Sequence, residues 1–418
     1  MFFSDQVITA IILVTLIGSY LVSSLADFLN IGNVNPSLPE TFSDVYDSAR
    51  YESSQKYLKA TTRMGLVSSG FDLVILLAFW FYGGFGILDT VVRDISGNPI
   101  VAGLLFVGIL SGLKLVLSLP FSIYGTFVIE ERFGFNKTTP GLFILDLVKA
   151  IALSAVLGAI LLSLIFWFFE SAGTMAWLFC WIVTSLFLLA VQYIVPTWIM
   201  PLFNKFTSLE DGPLKERIFT YARSIDFPLT RVFVMDGSKR SAKSNAFFTG
   251  FGKNKRIVLF DTLIKEQNTD ELVAVLAHEM GHYRKKHIQR RLALGIVQMG
   301  IVFYLMSLFI SHEGLFNAFF VAQPSVYAGL IFFSILFSPI DLIISIFLQI
   351  SSRRDEYQAD RFAAQTTKNP RALVSALKKL SAHNLSNLTP HPFYVFLNYS
   401  HPPVLERITA LGRMEKGR

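Results

Sequence analysis

An all-α polytopic membrane protein with a small β-containing soluble part is the fold class this chain predicts. Three observations predict it. The 418 residues are 52% hydrophobic, with a mean hydropathy of +0.50. Only 16% are charged, against about 25% in soluble domains. Seven stretches stay apolar over the roughly 20 residues a helix needs to cross a bilayer.

Those stretches are residues 6–26, 65–88, 100–123, 150–169, 175–195, 292–311 and 326–350. Asp5 is the only charge before the first, so no basic leader region precedes it. No small-residue cleavage site clearly follows it, so it reads as a first span. The second, third and seventh spans carry one central charge each, Asp72, Lys114 and Asp341. Charges at that depth usually face a wet interior, so a polar space inside the bundle is expected. A single cysteine, Cys180, excludes an intramolecular disulfide and any Cys-based metal framework.

The formal net charge is +7. Of the 37 Lys and Arg, all but Arg93 and Lys114 fall in the loops after spans one, three and five or in the tail. Membrane topology explains this distribution better than nucleic-acid binding, and no nucleic-acid partner is expected. The N-terminus is therefore expected outside or in the lumen, and the C-terminus in the cytosol.

Spans and loops divide the chain into 1–204 (five spans), 205–291 (a cytosolic loop domain), 292–352 (two spans) and 353–418 (a tail). In the loop domain an amphipathic stretch, 214–225, ends at Phe227-Pro228. A β-rich run at 231–235 follows. Two more, 244–249 and 256–260, are joined by the glycine-containing residues 250–255 and read as a hairpin.

Residues 273–282 then hold the organising motif, Val-Ala-Val-Leu-Ala-His-Glu-Met-Gly-His. Positions i and i+4 share a helix face. His278 and His282 can thus present two imidazoles to one ion, with Glu279 beside them as general base. The helix is expected to begin near Thr269, as its N-cap. One Zn2+ per chain is the expected cofactor, and a catalytic zinc takes a third protein ligand and keeps one open position. Glu356, with Asp360 one turn on, is the candidate; the same spacing also describes an acidic pair on an exposed helix. His282 lies ten residues before Leu292, about 15 Å if helical throughout, so the centre is expected close to the cytosolic membrane face.

Seven segments in order, residues 126–137, 236–241, 244–248, 255–263, 278–282, 356–360 and 400–407, resemble the CAAX prenyl protease 1 family of seven-span zinc metalloproteases. The resemblance implies a ring of seven helices around a water-filled chamber. It implies His278, His282 and Glu356 as zinc ligands and Glu279 as base. Asp360 matches a second carboxylate that orients His278 or donates a proton. His401 and Arg407 match residues that steady the tetrahedral intermediate, although His401 alone also reads as a turn histidine before Pro402-Pro403.

The expected activity is cleavage of prenylated C-terminal CaaX sequences by a monomer in the endoplasmic reticulum membrane, or in the plasma membrane of a prokaryote. The chain ends without a dilysine-type retention signal, which fits a prokaryotic source. The alternative is a quality-control protease of the heat-shock type, acting on unprenylated membrane proteins. Such an enzyme must hold its peptide extended. Asn245, Ala246, Phe247 and Phe248 are the expected substrate-binding residues, as an edge strand to which the peptide adds. An ordinary packed hairpin strand is the plainer alternative.

Overall fold

The computed structural model describes residues 4–249 and 256–416; the expected loop 250–255 lies outside them. Among the described residues, seven helices are long and apolar enough to cross a membrane. They are Asp5–Gly32, Ser48–Phe81, Pro99–Glu130, Pro140–Ser171, Gly173–Phe203, His287–Phe309 and Val326–Thr367. The chain is a multi-pass integral membrane protein.

The second span differs from expectation. It ends at Phe81 instead of running to Leu88, because Gly83 takes a left-handed φ of 72° and starts a separate helix, Gly84–Ile95. A Cβ at Gly84 would lie 2.6 Å from the Phe79 carbonyl oxygen, so this turn closes only on glycine. The seventh helix overshoots its expected end and runs unbroken for 42 residues.

Each span packs on the next, and the seventh returns to the first, closing a ring. Between 6% and 17% of each span's most apolar stretch is buried. The ring is therefore only lightly covered by the rest of the chain. Its buried side chains gather at one end, where the non-spanning helix Glu313–Ala318 joins spans one to seven. There Trp80 donates to the Ala318 carbonyl at 2.6 Å. Phe319 stacks on Trp80 and Phe332, with centroids 4.7 and 4.1 Å apart. Trp80→Ala should cost about 3–5 kcal/mol through the cavity left behind. Thermal unfolding in detergent reads this as a lowered Tm.

The three charges within the spans find polar partners on neighbouring spans. Lys114 pairs with Asp72 at 2.5 Å, joining spans two and three. Asp341 accepts from Gln298 Nε2 at 3.4 Å, joining spans six and seven.

At the other end sits a four-stranded sheet in the order β1-β2-β4-β3: Phe206–Ser208, Val232–Met235, Arg256–Phe260 and Ala246–Thr249. β3 and β4 pair antiparallel, β2 and β4 parallel. β3 is thus an edge strand. Ile257 and Leu259 bury their side chains with Leu276 and Met280 of the motif helix and Leu373 and Leu377 of the following helical layer.

Candidate metal centre

The motif helix spans Thr269–Arg284. Its N-cap is Asn268 rather than Thr269: Asn268 Oδ1 accepts from the Glu271 N–H at 2.9 Å, and Glu271 Oε2 accepts from the Asn268 N–H at 2.8 Å. A reciprocal capping box of this kind satisfies two donors that a helix start leaves open, which a lone Thr269 hydroxyl could not. Glu271 also accepts from Ser375 and Lys379, fixing the helix start to the helix Pro370–His383.

The same helix lies close against the seventh. A Cβ at Gly281 would meet the Ala359 Cα at 3.1 Å and its carbonyl oxygen at 3.2 Å. Ala274, Ala277, Ala359 and Ala363 are all fully buried. This small-residue contact lets short side chains on the two helices meet.

They meet as a triangle. His278 Nε2 lies 3.1 Å from His282 Nε2 and 3.4 Å from Glu356 Oε2. His282 Nε2 lies 3.3 Å from Glu356 Oε1. Glu356 Oε2 is buried and receives no hydrogen bond from the described residues. The donor types fit a zinc ion in a His2Glu site: one ligand atom from each residue lies within 4.8 Å of the other two, and the two carboxylate oxygens of Glu356 face one histidine each.

Around the triangle the other expected residues take distinct places. Asp360 Oδ1 is 2.8 Å from His278 Nδ1. Arg407 grips Asp360 with two bonds, Nε to Oδ2 at 2.8 Å and Nη2 to Oδ1 at 2.6 Å. Burial disfavours the Arg407 charge, but Asp360 outweighs this and raises its pKa above the usual value. His401 Nε2 is 3.4 Å from Glu356 Oε1, with most of its ring exposed. Glu279 lies beside the two histidines, near the Phe248 backbone amide; burial pushes its pKa up, while His278 and His282 pull it down.

A cavity of about 420 Å³ opens onto this group. His278, Glu279, His282, Glu356, His401 and Arg407 line it, and so do Asn245 to Phe248 of the β3 edge. Asp360 does not. Leu263, Leu373, Leu377 and Leu380 supply an apolar wall.

Two parts of this arrangement were not legible in the sequence. The path from His282 to Leu292 is not one helix: Lys286 has φ 59°, and a new helix starts at His287. Both Arg290 and Arg291 turn to the buried Asp355, where the sequence suggested only charges marking the membrane face. His287 also reaches the centre; its distance from the motif gave no signal, because nothing in the sequence marks the left-handed residue before it.

Two family descriptions match the chain. "CAAX prenyl protease N-terminal, five membrane helices" matches residues 27–205, and "Peptidase family M48" matches residues 208–415. CAAX prenyl protease 1 of Saccharomyces cerevisiae is 36% identical over 404 residues, spanning 90% of this chain and 88% of that protein. The Arabidopsis thaliana homolog is 37% identical, covering 91% and 92%. The Homo sapiens homolog is 34% identical, covering 91% and 89%. A crystal structure of S. mikatae Ste24p superposes with a TM-score of 0.91 at 32% identity, over 97% of this chain and 99% of that one.

Proposed function

This chain belongs to peptidase family M48, in its CAAX prenyl protease branch, and on that premise we propose a zinc endopeptidase that cleaves prenylated proteins at a C-terminal CaaX sequence. It is a membrane-embedded metallopeptidase. The observation that carries the zinc assignment is the convergence of His278, His282 and Glu356, with one ligand atom from each within 4.8 Å of the others.

When bound, the zinc supplies a Lewis acid for the scissile carbonyl and acidifies the attacking water. Glu279 takes the water's proton and passes it to the leaving amine. Arg407 and His401 face the cavity and are placed to steady the negative charge that develops on the carbonyl oxygen. Asp360 is a positioning residue: gripped by Arg407 and away from the cavity, it holds His278 with Nε2 turned to the metal.

Substrate adds to the free edge of β3. The Phe260 N–H donates to the Asn245 carbonyl, and antiparallel pairs alternate along a ladder. Phe247 therefore bonds inward to Val258, while Ala246 and Phe248 turn their main chain outward. Asn245 Oδ1 accepts from the Ala246 N–H at 2.8 Å, so Asn245 dresses the edge before a peptide arrives. Ala246→Pro removes an outward donor, which an edge strand tolerates. It should keep zinc and fold while raising KM. Phe247→Pro removes a ladder donor and should lower Tm instead. Wild-type KM in Ala246→Pro would place the substrate elsewhere.

The cytosolic placement of the site follows from the basic loops. Lys286 is exposed beside the centre, so Lys286→Cys should label from the cytosolic side only. The substrate class is tested with purified protein and paired peptides ending in CaaX, farnesylated or not. Release of the last three residues, with higher kcat/KM for the farnesylated peptide, is expected. Equal cleavage of both would favour a quality-control protease.

A further inference from the structure

Every metal-bound imidazole has a second ring nitrogen, and its partner sets the ring's tautomer and direction; that partner is normally a carboxylate, a backbone carbonyl or water. His278 follows this rule through Asp360. His282 does not. Its Nδ1 lies 3.0 Å from Nδ1 of His287. We propose that His287 is the positioning residue for His282, a neutral histidine standing where His278 has an anionic carboxylate. The proposal rests on the metal-centre assignment above.

The protons can be placed. With Nε2 of His282 turned to the metal, its Nδ1 carries the hydrogen and must donate. Nδ1 of His287 is then the acceptor, which puts the His287 proton on Nε2. That Nε2 has two acceptors on the seventh helix, Gln358 Oε1 at 3.3 Å and Asp355 Oδ1 at 3.5 Å. Asp355 is wholly buried and faces Arg290 and Arg291. Asp355 and Gln358 flank Glu356 in sequence. The relay therefore ties the helix carrying two ligands to the helix carrying the third.

The chain reaches this arrangement through one residue. In a continuous helix five residues turn about 500°, leaving His287 some 140° round the axis from His282. The left-handed Lys286 breaks the helix and turns the ring back. The imidazoles meet edge to face, with centroids 5.2 Å apart and planes at 73°, and His287 is 1% exposed. A neutral partner adds no negative charge to the ligand set. Less of the ion's charge is cancelled than if a second carboxylate stood there, which favours polarisation of a carbonyl.

The test is zinc affinity, measured on metal-stripped full-length protein in detergent by competition with a chelating dye, with Tm of the metal-free protein read alongside. His287→Ala should weaken zinc binding about 10–100-fold. His287→Gln keeps a group near Nε2 but offers His282 no acceptor, and should weaken it similarly. His287→Asn places Oδ1 where Nδ1 was, so it should bind zinc close to wild type and restore the wild-type visible spectrum with Co2+. Unchanged zinc affinity in all three variants overturns the proposal. So does equal loss in all three, or a loss that simply tracks a lowered metal-free Tm, since either marks a filler of space. Failure of wild-type protein to bind zinc would instead overturn the metal centre itself.

Discussion

Glu279→Gln should leave one zinc per chain and lower kcat by about 10²–10⁴-fold, the range spanned by a positioned general base. The amide is close in size to the carboxylate and cannot take a proton from water. KM should change little, because the β3 edge and the apolar wall are untouched. The change is also gentle to the fold. Glu279 lines the cavity and is not a ligand, so the triangle at His278, His282 and Glu356 keeps its shape. Wild-type turnover in metal-replete Glu279→Gln, free of contaminating protease, would remove Glu279 from the mechanism.

His278→Ala and Glu356→Ala should lose both zinc and turnover. Each removes one corner of the triangle, and two ligands hold zinc poorly. The second effect differs between them. His278→Ala leaves Asp360 still gripped by Arg407. Glu356→Ala takes away a buried carboxylate whose charge offsets that of Arg407, 3.7 Å away. Glu356→Ala should therefore unfold at a lower temperature than His278→Ala, although both lose the ion. Elemental analysis of the purified variants reads the first effect and Tm the second. Stoichiometric zinc in Glu356→Ala would move the third ligand elsewhere on the chain.

Span number and the motif helix were legible because they rest on local signals. Apolar length marks a span, and i, i+4 spacing puts His278 and His282 on one face. The β3–β4 hairpin was legible from β-favouring runs either side of glycines. Its edge position was only an inference about use until the strand order was seen, since β1 at residues 206–208 is three residues long and left no pattern. Helix ends were harder. Asn268 and Thr269 are both good N-caps, and only the reciprocal bonds with Glu271 decide between them. The early end of the second span depends on Gly83 taking a positive φ, which glycine permits without requiring.

The least legible part was the surround of the metal centre. Asp355 looked like one more charge in an Arg-Arg-Asp-Glu run, and Arg290 and Arg291 like topology markers. Tertiary contact between the sixth and seventh helices gives all three a different role. Gly281 has the same character. As the fourth residue of a five-residue motif it is free in sequence terms, but the approach of Ala359 leaves no comfortable room for a side chain.

The centre itself is tested most directly by anomalous diffraction at the zinc edge, from crystals of protein purified without added metal. One peak is expected per chain, about 2.0–2.2 Å from Nε2 of His278, Nε2 of His282 and a carboxylate oxygen of Glu356. A well-diffracting crystal of active protein with no peak there, or with its peak on other residues, would contradict the account.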